Sequence, residues 1–227
     1  MLSGMLAEIP DFKPTPHLLR SWTTVRPLKR NTFTAAKSWK FLIRAEASTV
    51  PADETRIVID PEIRGARAWA ERHDITLTWL PENLEVRVTF RQLSTGESFH
   101  LRGRFPGYRA IAPEWTFSDE SWIHCGRLQD APNPAATQFG ASIFISHENL
   151  QLSIPKHAVI CVPFNRLAYT DASGPHADWG GPAQWMEVSR SSPAPGAAPG
   201  PVRAETVGDM LQVIYRDFSR TAGRMGA

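Results

Sequence analysis

Residues 75–105 read ITLTWLPENLEVRVTFRQLSTGESFHLRGRF, and apolar and polar side chains alternate along three successive segments of this stretch. Two clusters of turn-forming residues, Pro81-Glu82-Asn83 and Ser94-Thr95-Gly96, separate the segments. A period of two is the pattern of a strand with one buried face, and short turns join antiparallel neighbours. The stretch therefore predicts a three-stranded antiparallel meander. The segment Glu114 to Phe117, which follows a proline, predicts a fourth strand.

Helices are predicted on both sides of this meander. Asp60 followed by Pro61 is typical of a helix start, because aspartate caps the first turn and proline needs no N–H at the first helical position. We therefore expect a helix from Pro61 to His73 that covers the buried face of the sheet. A second amphipathic helix is expected from Arg203 to Thr221. Its apolar face consists of Val207, Met210, Leu211, Ile214 and Phe218. The predicted fold class is α+β.

The remaining segments carry weaker patterns. Residues 1–58 are rich in proline and poorly periodic, so we interpret them as an N-terminal extension to a domain formed by residues 59–227. Residues 118–149 have the composition of a loop, and residues 154–162 form an apolar run. Residues 189–201 are rich in Ser, Pro, Ala and Gly, which favours a flexible or polyproline-like loop.

Composition excludes several classes of protein. A net charge of +2 gives no field that favours binding to nucleic acid, and the longest apolar run is far shorter than the roughly 20 residues of a membrane span. The N-terminus lacks the basic and apolar regions of a secretory signal. The two cysteines lie 36 positions apart, which fits reduced thiols better than a structural disulfide. We expect a soluble, cytoplasmic protein without nucleic-acid or membrane partners and without a cofactor.

The apolar run before residue 162 contains Cys161, and a Pro163-Phe164-Asn165 break follows directly. A strand that ends in a cysteine before such a turn is a way to present a thiol at a surface groove, so Cys161 is the predicted nucleophile. The alternative is a buried, inert cysteine, since this residue is often buried. Cys125, which follows His124, is the competing thiol.

The order of these pieces resembles the ubiquitin-conjugating (E2, or UBC) fold. The resemblance covers Asp60 to Thr221 and includes a Phe105-Pro106-x-Tyr108 turn, a cysteine in an Ile-Cys-Val context and a downstream tryptophan. The stretch Cys-Val-Pro-Phe-Asn-Arg-Leu-Ala-Tyr is most similar to bacterial E2-like proteins encoded beside E1-like, ubiquitin-like and JAB-type peptidase genes in anti-phage operons. The resemblance implies an N-terminal helix, a four-stranded meander, an active-site loop with an insertion before Cys161, and a C-terminal helix.

The resemblance also implies a function. Cys161 would accept a ubiquitin-like protein as a thioester from an E1-like activating enzyme and pass it to an amine on a target protein. The His-Pro-Asn triplet that precedes the cysteine in eukaryotic members is absent here. Donors for the developing oxyanion and the groups that activate the amine are therefore sought among Asn165, His176, Asp178 and His157. For His157 and Asn165 the alternatives are a strand-edge histidine and a turn asparagine that bonds its own backbone.

Other interpretations remain open at this stage. Arg64, Arg67 and Arg72 either form the docking face for the activating enzyme or are a solvated helix face. The missing triplet motivates a second hypothesis, a catalytically inactive variant that only binds a ubiquitin-like protein or an activating enzyme. A hydrolase built from Cys161, His176 and Asp178 rests on residue types alone. These residues and His157 match no recognised zinc spacing, so no metal is expected.

Overall fold

A computed structural model describes residues 50–133, 143–145, 156–170, 179, 181–191 and 204–225. The helices and strands of this part of the chain are, in order, α1 (Ala52–Arg72), β1 (Thr76–Leu80), β2 (Glu85–Arg91), β3 (Ser98–Arg104), β4 (Glu114–Ser118), β5 (Ile143–Ile145), β6 (Ala158–Ile160), α2 (Arg166–Thr170), α3 (Trp185–Ser191) and α4 (Val207–Phe218). The architecture is α+β, with a helix before a four-stranded antiparallel sheet and a helix after it, as the sequence predicts.

The four predicted strands form one sheet in the order β1-β2-β3-β4, and every neighbouring pair is antiparallel. The alternating apolar residues of β2 and β3 lie on one face and are buried in the core: Val86, Val88, Phe90, Phe99 and Leu101. Gly103 lies opposite Trp115 on β4, and a Cβ atom at this glycine would lie 2.5 Å from the indole ring. The absence of a side chain on β3 therefore makes room for the tryptophan in the core.

The predicted start of the first helix, α1, is wrong. The helix begins at Ala52 rather than at Pro61, it contains Pro61 in its interior, and it crosses the predicted boundary between residues 58 and 59. Proline inside a helix costs about 3 kcal/mol because it removes a backbone hydrogen bond. The buried face of α1, which extends on both sides of the proline, offsets this cost. Its members are Thr55, Ile59, Ile63, Ala66, Trp69 and Ala70.

Helix α4 confirms the predicted C-terminal amphipathic helix within narrower bounds. The Thr206 hydroxyl accepts from the Asp209 N–H at 3.2 Å, and the Asp209 carboxylate accepts from the Thr206 N–H at 3.0 Å. This reciprocal capping starts the helix at Val207. All five predicted apolar positions are buried. The Phe218 ring lies 5.1 Å from that of Phe90 on β2, so α4 covers the sheet together with α1.

The predicted loop regions contain short regular elements. Strand β5 lies inside the segment predicted to be a loop and pairs antiparallel with β6. Helix α3 extends to Ser191, three residues into the predicted flexible segment, because Val188 and Ser189 are buried. Residues 1–49, 134–142, 146–155, 171–178, 180, 192–203 and 226–227 lie outside the described residues, so the predictions made for them stay predictions. Within the described ranges, no helix is long and apolar enough to cross a membrane.

Candidate active site

The segment that carries Cys161 is attached through its backbone to the loop that follows β4. Strand β6 begins at Ala158, whose N–H donates to the carbonyl of Gly126 at 3.1 Å. Cys161 follows directly after the strand, and the turn that comes next closes with a 3.0 Å bond from the Asn165 N–H to the Val162 carbonyl. Helix α2 then begins at Arg166. The predicted order of strand, cysteine and turn is therefore observed.

Asn165 joins this turn to strand β4. Its Oδ1 accepts from the backbone N–H of Trp115 at 2.9 Å, and its Nδ2 donates to the carbonyl of the same residue at 3.0 Å. Nδ2 also donates to the carbonyl of Ile160 at 2.7 Å, and Oδ1 receives a longer contact of 3.3 Å from the N–H of Leu167. The side-chain amide thus acts as a short strand partner for Trp115. It is fully buried, and both of its N–H groups are used.

This arrangement determines the role of Asn165. From the sequence, Asn165 is a candidate donor to a developing oxyanion, with a turn asparagine as the alternative. Both of its N–H groups bind backbone carbonyls, so neither is available for an oxyanion in the described geometry. The contact to the N–H of Leu167, two residues ahead, is the local bond of the alternative interpretation. Asn165 therefore positions the backbone that leads into Cys161.

A buried ion pair adds a second attachment to β4. Arg166 donates to the Glu114 carboxylate, and its backbone N–H donates to the carbonyl of Pro113 at 2.7 Å. Arg104 of β3 approaches the other carboxylate oxygen of Glu114 at 3.7 Å. Glu114 is buried, and the two guanidinium groups compensate its charge, as a buried carboxylate requires. No local pattern in the sequence predicts this pair, because its partners are 52 positions apart.

The thiol of Cys161 is not at the surface. Only 4% of the residue is exposed, and it packs in a small apolar cluster with Ala168, Trp179 and Val188, with Tyr169 at its border. The Tyr169 ring meets Trp179 edge-on at 5.5 Å, and its hydroxyl donates to the carbonyl of Pro163 at 2.8 Å. The expectation of an exposed thiol is therefore wrong for this conformation, although the tryptophan downstream of the cysteine does lie beside it.

The other predicted site residues are only partly described. His157 is half-buried and lies immediately before β6, four residues ahead of Cys161. His176 and Asp178 lie outside the described residues, so their roles stay predictions. In the part of the chain that the structure covers, no group of three or more His, Cys, Asp and Glu side chains is arranged to hold a metal ion.

Cys125 lies in a different environment, at the far end of the loop that follows β4. Its thiol donates to the Ser118 hydroxyl at 3.5 Å, and burial raises the pKa of this thiol. The neighbouring His124 directs Nδ1 to the Asp119 carboxylate at 2.8 Å. The imidazole binds a carboxylate, and burial outweighs the Ser118 hydroxyl and the Arg102 charge, which favour the thiolate, so this arrangement does not activate Cys125 as a nucleophile.

Asp119 organises the loop that contains Cys125. Burial raises the pKa of this carboxyl, but hydrogen bonds from the His124 imidazole, the Ser121 hydroxyl and the backbone N–H groups of His124 and Ile123 outweigh burial, so its pKa lies below the usual range. Arg127 also lies 3.4 Å from the carboxylate. These contacts assign Asp119 to loop structure.

Comparisons with known proteins provide no relative for this chain. No family model matches it, and neither the curated proteins nor the solved structures contain a match.

Proposed function

We propose that the protein is an E2-like conjugating enzyme that carries a ubiquitin-like protein as a thioester on Cys161. The observation that carries the proposal is the position of this cysteine, directly after a strand and before a turn that Asn165 attaches to β4. It occurs in a chain with a helix, a four-stranded meander and a closing helix in the order of the ubiquitin-conjugating fold.

The reaction consists of two acyl transfers. The Cys161 thiolate attacks the thioester carbonyl between the E1-like enzyme and the C-terminus of the ubiquitin-like protein, and the thiol of the activating enzyme leaves. An amine of the target then attacks the new thioester, forms an amide, loses a proton and releases the Cys161 thiolate. The described conformation buries the thiol, so loading requires the side chains around it to move.

The exposed face of α1 supports a partner surface on the first helix. Arg64, Arg67 and Arg72 are exposed, and none of them forms an ion pair with another described residue. Guanidinium groups without intramolecular partners are available to carboxylates of a second protein. In the proposed function this face receives the E1-like enzyme.

Loading is tested with an E1-like enzyme, ATP and a ubiquitin-like protein encoded beside this chain. The expected product is an adduct of the two proteins that a thiol reductant cleaves. Cys161→Ala should abolish it, and the matched variant Cys125→Ala should retain it. If Cys125→Ala lost the adduct while Cys161→Ala retained it, Cys125 would be the nucleophile.

Discharge is tested by mixing the preloaded protein with free lysine in a single turnover. With the amide of Asn165 committed to the backbone, the remaining groups for proton transfer and oxyanion stabilisation are His157, His176 and Asp178. Loss of the correct group should slow discharge by roughly 10- to 1000-fold while loading is retained. If all three single variants discharge at the wild-type rate, the groups for proton transfer and oxyanion stabilisation are supplied by a partner protein.

Burial of the thiol favours a second candidate function, a catalytically inactive binding module. A cysteine with 4% exposure in an apolar cluster has the surroundings of an inert core residue. This module would bind the ubiquitin-like protein or the E1-like enzyme without a covalent adduct. Co-purification with either protein, together with no reducible adduct under conditions in which the E1-like enzyme is itself loaded, would support it over the first proposal.

A further inference from the structure

The two edges of the main sheet differ in how their backbone groups are satisfied. At the β4 edge, the N–H and carbonyl of Trp115 bind the amide of Asn165, and the carbonyl of Phe117 accepts from the N–H of Gly126 at 2.8 Å. This edge is closed by other parts of the chain. The opposite edge is formed by β1.

The register identifies the free groups on β1. The Phe105 N–H donates to the Leu84 carbonyl, so the even-numbered residues of β2 bond to β3 and its odd-numbered residues bond to β1. The partners of these odd-numbered residues are Thr76, Thr78 and Leu80. The backbone groups of Leu77 and Trp79 consequently point away from the sheet.

The free edge is short and has defined ends. On one side the Ile75 N–H donates to the Ala70 carbonyl at 3.0 Å, and on the other the Pro81 carbonyl accepts from Arg56 Nε at 3.1 Å. Between these ends, two N–H groups and two carbonyls, those of Leu77 and Trp79, have no partner among the described residues. Thr78 lies at the centre of this free edge.

The side chains at this edge do not protect it. The sequence of β1, TLTWL, contains no charge and no proline, which are the usual means of preventing an edge strand from pairing. Leu77 and Trp79 contact the core but remain partly exposed. Ile57, which is 74% exposed, lies on α1 between Arg56, bound to Pro81, and Asp60, which accepts from the Trp79 indole at 2.9 Å. Apolar surface is therefore present beside the free backbone groups.

We propose that β1 pairs antiparallel with β1 of a second copy of this chain, on a two-fold axis at Thr78. In this register Leu77 of each copy lies opposite Trp79 of the other, and the four free groups of each edge form four hydrogen bonds in total. Leucine meets tryptophan on the core side of the joined sheet, and Thr78 meets Thr78 on the other side.

A second copy is favoured over an unrelated peptide by the symmetry of this edge. The N–H and carbonyl groups of Leu77 and Trp79 are placed equally on both sides of Thr78, so an identical strand satisfies all four of them with the same four groups of its own. The pairing is short, so we expect a weak dimer with a dissociation constant between micromolar and millimolar. This inference is independent of the proposed function, since it concerns neither Cys161 nor a ubiquitin-like protein.

The test is the molar mass of the full-length protein in sedimentation equilibrium over a range of concentrations. Thr78→Lys and Thr78→Asp each place identical charges opposite one another across the axis. Each should raise the dimer dissociation constant by about 10-fold or more, since like charges directly opposite in a sheet are destabilising. An equimolar mixture of the two variants should restore dimerisation, because the opposed charges then differ in sign.

Thr76→Lys is the matched control. This exposed threonine is on the same strand, but it would lie opposite Leu80 of the second copy and not opposite itself. The dimer dissociation constant of Thr76→Lys should therefore stay within about 3-fold of the wild-type value. Circular dichroism checks that the variants are folded. A wild-type protein that is monomeric at millimolar concentration would overturn the proposal. Dimers that persist in both Thr78 variants would also overturn it, as would a mixture that stays monomeric.

Discussion

Substitution of Asn165 should destabilise the fold more than the loss of any single surface residue. Asn165→Leu keeps the branched shape and the number of non-hydrogen side-chain atoms but leaves the N–H and carbonyl of Trp115 without a partner, whereas the carbonyl of Ile160 keeps a contact of 3.2 Å from the Val162 N–H. A buried backbone group without a partner costs about 1–3 kcal/mol, so two such groups give a loss of about 2–4 kcal/mol after partial rehydration. This is a large fraction of the 5–15 kcal/mol typical of a domain.

The measurement is urea unfolding followed by intrinsic tryptophan fluorescence, in which this loss lowers the midpoint by about 1–2 M. Asn165→Asp is the informative comparison. A carboxylate at this buried position would face two carbonyl oxygens, and burial favours its protonated form. The stability of this variant should therefore increase as the pH falls from 7 to 5, whereas that of Asn165→Leu should not. A loss below 1 kcal/mol for Asn165→Leu would refute the strand-partner role of the amide.

Three further predictions concern a close contact, a thiol and an acidic loop. Gly103→Ala should lower the free energy of unfolding in urea by about 1–3 kcal/mol, because its Cβ overlaps the Trp115 ring. The control Gly65→Ala, which lies in open space on a helix, should raise it by about 0.5–1 kcal/mol. Equal effects of the two substitutions would contradict the contact at Gly103. In a protein whose only cysteine is Cys161, alkylation by iodoacetamide followed by mass spectrometry should be at least about 10-fold slower than in urea, since the thiol is buried; equal rates would mean that it is freely accessible. The lowered pKa of Asp119 adds stability above its unfolded pKa of about 3.9 that is lost as the pH falls below that value. Asp119→Asn should therefore be less stable at pH 7 and show a weaker decline below pH 4 in acid titrations.

The sequence by itself determined the elements whose patterns are local. Alternation through residues 75–105 is sufficient for the meander, because strand period and turn chemistry are properties of neighbouring residues. The apolar positions of α4 were likewise found at their helical spacing, and all of them are buried. The strand, cysteine and turn around Cys161 follow from the same local signals.

Tertiary structure decided the features that depend on distant partners. The local rule that proline starts a helix failed at Pro61, because burial of the α1 face on both sides of it outweighs the lost hydrogen bond. Asn165 has the composition of a turn residue, and only the approach of β4, 50 positions earlier in the chain, makes it a strand partner. The exposure of Cys161 depends on Trp179 and Val188, which no local pattern connects to it. Burial is a sum over the whole fold, so a sequence pattern identifies a thiol but not its access to solvent.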